Sequence, residues 1–71
     1  MPEISRFEGI IIQMFSRGEH PPPHFHAIFG GSVAVFSINT GKMIDGDMIF
    51  KKAALVTAWG ILHKDELLKN W

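Results

Sequence analysis

The sequence predicts an α+β fold, a small antiparallel sheet of three to four strands with one long C-terminal helix packed on one face. Three observations predict it. Short runs of β-branched and aromatic residues recur between positions 9 and 38 with period-two alternation. Gly30-Gly31 stands between two of these runs, the signal of a two-residue hairpin turn. From Phe50 onward the apolar spacing becomes helical. The 71 residues make one domain, 1–71. A chain this short buries only roughly 60% of its unfolded surface.

The first strand is expected at about 9–15, or from Ile4. Ile10, Ile12 and Met14 share one face and Ile11, Gln13 and Phe15 the other. Ser16-Arg17-Gly18-Glu19 is polar and reads as a loop. Strands follow at 24–29 and 32–38. A two-residue turn at the glycines sets their register: Phe29 faces Ser32, Ala27 faces Ala34 and Phe25 faces Phe36. On the other face Ile28 meets Val33, His26 meets Val35 and His24 lies opposite Ser37. The face with Phe25, Ala27, Phe36 and Ile38 is the expected core. A short fourth strand is expected at 42–44 and a helix at about 50–69. On a 3.6-residue wheel Ala54, Leu55, Ala58, Trp59, Ile61, Leu62 and Leu68 gather on one side, opposite Thr57, Gly60, His63 and Lys64. Gly60 costs about 1 kcal/mol against Ala in a helix interior, which points to close packing on it.

The segment His20-Pro21-Pro22-Pro23-His24-Phe25-His26 holds three of the four histidines. Proline fixes φ near −65° and lacks a backbone donor, so the three prolines predict a stiff extended rod. His24 and His26, two apart on a strand, point to one side. Neutral imidazole is a common ligand of zinc and other divalent transition metals, so His20, His24 and His26 are a candidate metal site, with His63, Glu19 or water as a fourth ligand. The competing reading is that the rings cap a sheet edge and bond to backbone freed by the prolines. A histidine-dependent nuclease would also need a cation such as Arg17, Lys42 or Lys51. The spacing places none of them beside the histidines, and no catalytic residue is assigned.

Lys51 and Lys52 fall in the first turn of the helix, where the macrodipole disfavours cations. They are a candidate anion-binding pair, or else two solvated lysines. Ile28, Val33 and Val35 leave an apolar patch on the histidine face, to be covered by the N-terminal segment (Ile4, Phe7) or by another protein. Trp71 at the C-terminus is a further candidate contact. At 46% hydrophobic residues the chain is apolar for its size, which points to a homo-oligomer or a partner.

Formal net charge is zero, so bulk charge does not indicate nucleic-acid binding. Without cysteine, disulfides and thiolate zinc sites are excluded. No segment has the ~18 consecutive apolar residues of a membrane helix, and the N-terminus does not resemble a signal peptide. A soluble cytoplasmic protein is expected.

Three stretches carry a resemblance that spans essentially the whole chain. They are the opening Met-Pro-Glu-Ile-Ser-Arg-Phe-Glu-Gly-Ile-Ile-Ile, the central Pro-Pro-His-Phe-His-Ala with Gly30-Gly31 behind it, and the closing Trp59…Leu62-His63-Lys64-Asp65-Glu66-Leu67-Leu68-Lys69-Asn70-Trp71. The chain resembles a bacterial family of small proteins, domain-of-unknown-function family 4160. The family motif maps onto His20, Pro22, Pro23, His24, Phe25 and His26. The resemblance implies a small cognate protein encoded nearby and one half of a toxin–antitoxin-like pair, and supplies no catalytic residues. A proline common before the family's helix stands here as Ile49 or Phe50.

Overall fold

A computed structural model describes residues 3–14 and 23–70. In chain order the elements are β1 (Glu3–Phe7), β2 (Ile10–Gln13), β3 (His24–Phe29), β4 (Ser32–Ser37), β5 (Met43–Gly46), α1 (Phe50–Leu62) and α2 (Lys64–Asn70). The strands form one antiparallel sheet in the order β1-β2-β3-β4-β5. The α+β class and the antiparallel sheet are as expected, with five strands and two helices instead of three to four and one.

The strand expected at 9–15 is a hairpin. Glu8 and Gly9 both take positive φ, 50° and 77°, the backbone that a type I′ turn needs. Phe7 therefore pairs with Ile10 and Arg6 with Ile11. Glutamate rarely adopts that conformation, and Glu-Gly lacks the Asn-Gly or Asp-Gly signature, so the turn is concealed in the sequence. Phe15 lies outside the described residues. The fourth expected strand, 42–44, runs from Met43 to Gly46, with a register shift between Val35 and Phe36 opposite it.

The central hairpin has the expected register at every pair, from His24 with Ser37 to Phe29 with Ser32. Its turn needs only one positive φ, 60° at Gly30. β2 docks on the other side of β3, pairing Ile12 with Ala27 and Gln13 with His26. One face of the sheet then carries Ile10, Ile12, Phe25, Ala27, Ala34 and Phe36, all fully buried. Met14, Ile38, Met48, Val56 and Leu67 complete this core.

The long helix expected at 50–69 bends at His63, whose φ and ψ are −107° and 16°. His63 N donates to Trp59 O at 3.0 Å, and Leu67 N donates to His63 O at 2.9 Å. Helical hydrogen bonding thus resumes at once, and the break is a bend. The helix starts at Phe50 despite the missing proline.

The side of α1 that meets the sheet is a correction. Val56 and Gly60 are its buried residues, with Ala53, Thr57, Trp59 and His63 half-buried. Of the side chains expected on the core face, Ala54, Leu55, Ala58, Ile61 and Leu62 are exposed, and so is Leu68 on α2. The physical reason is contact distance. A Cβ at Gly60 would sit 3.0 Å from Phe25 Cζ, so the helix makes its closest approach at Gly60 and turns Phe50, Leu55, Ile61 and Leu62 outward. Trp59 remains inward, edge-on to Phe25 at 5.6 Å between ring centroids and stacked on Phe7 at 5.9 Å.

Candidate interaction surfaces

Both helices pack on the Phe25 face, so the histidine face of the sheet is opposite them. His24 and His26 stand side by side there, ring centroids 5.3 Å apart and nearly perpendicular. Strand register extends this face into two rows. One row runs Gln13, His26, Val35, Asp45 and the next runs Arg6, Ile11, Ile28, Val33. Ile28 and Val35 are half-buried and Val33 is 51% exposed. Of the two covers expected for this patch, the N-terminal segment or another protein, the first does not form. Instead β1 lengthens the sheet sideways, and Phe7 turns to the helix side to stack on Trp59. Trp71 lies outside the described residues.

The structure divides the candidate metal ligands. His24 and His26 come together, whereas His63 is on the helix layer across the sheet and cannot join them. His63 Nδ1 instead meets Glu66 Oε1 at 3.0 Å. His20 and Glu19 lie outside the described residues. No group of three His, Cys, Asp or Glu side chains close enough to hold an ion occurs among the described residues. Of the cations considered for a nuclease, Lys51 is on α1, across the sheet from the histidines, and Arg17 is outside the described residues. The Lys42 carbonyl accepts from Ser37 N at 2.9 Å, which places Lys42 beside the register partner of His24.

The two lysines at the start of α1 diverge. Lys52 reaches back to the β1–β2 turn, where its ammonium donates to Glu8 O at 3.0 Å and sits 4.7 Å from the centre of the Phe29 ring. This contact holds the helix N-terminus over the first hairpin. Lys51 is exposed. No side-chain cap closes the helix start at Ile49.

Two further features lie outside the sites expected from the sequence. The first is a cleft of about 380 Å³ between β1 and the bend of the helices. Ile4, Met14 and Leu67 form apolar walls, Trp59 an aromatic surface, and Ser5, His63 and Glu66 the polar groups. Among the described residues no lysine or arginine lines it. The second is the outer face of α1. Phe50 is 85% exposed, Leu62 80%, Ile61 61% and Leu55 40%. Ala54 and Ala58 lie exposed between them, and Lys51 is the one charged residue among these positions. A surface helix ordinarily places charge there. Removing the four large side chains from water would contribute on the order of 4–8 kcal/mol per chain, at about 1.5–3 kcal/mol for each full burial. Exposed apolar area concentrated in this way marks interaction sites. The signal is present in the sequence, since α1 is apolar around most of its circumference and one sheet can cover only one side of it.

No helix among the described residues is long and apolar enough to cross a membrane. The family model of a domain of unknown function, DUF4160, matches residues 9–71. No curated protein and no solved structure matches the chain.

Proposed function

The chain belongs to the DUF4160 family, whose description states no activity, and on that footing we propose that it is a protein-interaction module. The observation that carries this reading is the outer face of α1, where four large apolar side chains are exposed in one patch. A 71-residue chain has little core to spare, and placing Phe50, Ile61 and Leu62 in water has no benefit to folding. Their burial against another polypeptide accounts for them. The module would serve as one component of a two-gene, toxin–antitoxin-like pair, with the product of the adjacent reading frame as its cognate protein. The test is the mass of the chain alone and co-expressed with that product, by light scattering after size exclusion. A self-complex or mixed complex formed by the wild type and lost from the Ile61→Glu/Leu62→Glu variant supports the reading. A monomer in both settings overturns it.

The adjacency of His24 and His26 supports a second reading, divalent-metal binding by His20, His24 and His26. Two rings 5.3 Å apart on one strand face supply two imidazole ligands. Equilibrium dialysis against zinc decides it. One equivalent held by the wild type and lost from His24→Ala/His26→Ala supports the site, and equal uptake by both eliminates it.

A further inference from the structure

The residues of the α1 outer face follow one ridge at four-residue spacing: Phe50, Ala54, Ala58, Leu62. The order is large, small, small, large, and it reads the same from either end. We propose that the occupant of this face is a second copy of the chain, bound about a two-fold axis that crosses the ridge between Ala54 and Ala58. The proposal rests on the interaction reading above and names its partner.

Four arguments favour a second copy. First, an isologous interface must be self-complementary. With the helices antiparallel, Phe50 of each copy meets Leu62 of the other, and Ala54 meets Ala58. The alanines let the backbones approach at the middle while the large side chains close both ends. Second, the charges agree. Lys51 is the only charged residue on the patch, and the two-fold axis sends the two copies of it to opposite ends. The two lysines therefore stay apart and do not repel across the interface. Third, the formal net charge of the chain is zero, so two copies do not repel at long range. Fourth, the area suits a small dimer. The exposed parts of Phe50, Leu55, Ile61, Leu62 and the alanines offer on the order of 600 Å² per chain, somewhat below the ~800 Å² per partner of a standard interface. An interface of that size falls at the weak, reversible end of specific complexes.

The test uses the whole chain and a charge exchange across the axis. Wild type, Phe50→Lys and Leu62→Glu are followed by sedimentation equilibrium from about 1 to 200 μM, a range that detects micromolar association. Circular dichroism checks folding, which both exposed sites should leave unchanged. The expected result is a wild-type dimer, two variants each weakened at least about tenfold, and a dimer restored when the variants are mixed in equal amounts. Mixing sets the introduced lysine of one chain against the introduced glutamate of the other at one end, and leaves Phe50 against Leu62 at the other end. A wild type that is monomeric throughout the range overturns the second copy. If a mixed complex with another protein is still lost from Ile61→Glu/Leu62→Glu, the broader reading survives that failure. A wild-type dimer whose two variants fail to restore each other overturns the antiparallel arrangement.

Discussion

Replacing Gly60 by alanine sets two effects of known sign against each other. In an exposed helix interior, Gly→Ala stabilises by about 1 kcal/mol. Gly60, however, is buried against the sheet. The new methyl would stand 3.0 Å from Phe25 Cζ and 3.3 Å from Cε1, closer than carbon atoms normally pack. The sign depends on whether Phe25 can yield. Its ring is fully buried, stacked on Phe36 at 5.6 Å and edge-on to Trp59 at 5.6 Å, so it has nowhere to go. Overpacking a tight core costs about 1–3 kcal/mol. Steric strain therefore outweighs helix propensity, and Gly60→Ala should destabilise by about 1 kcal/mol net. In a domain of this size that lowers Tm by about 4–8 °C. Urea unfolding followed by tryptophan fluorescence measures it, with the midpoint shifted and the slope unchanged. A second variant isolates the cause. In a Phe25→Leu background the ring is gone, and Gly60→Ala should become neutral or stabilising by up to about 1 kcal/mol. If Gly60→Ala stabilises the protein with Phe25 in place, the close helix–sheet contact is refuted.

The remaining predictions concern other contacts. A Cβ at Gly46 would lie 2.8 Å from Ala34 Cα, a backbone atom that cannot move aside. Gly46→Ala should therefore cost at least about 2 kcal/mol in thermal or urea unfolding, and an unchanged Tm would show that β5 does not seat as described. Lys52→Ala removes the bond to Glu8 O and the contact over Phe29. The expected loss is about 0.5–1 kcal/mol, with Lys52→Arg recovering part of it. Val56→Ala empties fully buried space beneath α1 and should cost about 1–3 kcal/mol by the same assay. By contrast, Leu62→Glu, at a position 80% exposed, should change the stability of the isolated chain by less than about 0.5 kcal/mol.

The parts of this molecule legible in its sequence are those where one local rule acts alone. Gly30-Gly31 permits one short reversal between two alternating runs, and every pair of the β3–β4 register follows. Gly60 was legible too, since an interior helical glycine implies a neighbour too close for a methyl, and Phe25 is that neighbour. The β1–β2 turn was hidden because Glu8 takes a backbone that its side chain does not favour; strand pairing on both sides of the turn imposes it. The inward face of α1 was hidden for another reason. Periodicity identifies a buried side only where the other side is polar, and α1 has apolar residues around most of its circumference. Packing distance decided the question, and the side with Val56 and Gly60 won because it could come nearer. The exposed outer face of α1 is hidden for the same reason. The sequence directs attention to the histidine patch as the open face, and the largest exposed apolar side chains add a second surface on the helix.

The strand order β1-β2-β3-β4-β5 also governs assembly during synthesis. Every sheet neighbour is a sequence neighbour, so loop closure is short at each step and folding should be rapid for a sheet protein. The helices come last. A nascent chain can thus zip its hairpins together while Phe25 and Phe36 still lack a lid, and the final twenty or so residues must arrive before that greasy surface meets a stranger. A message cut short ahead of Phe50 would release an uncapped sheet, a species for proteases and chaperones to clear.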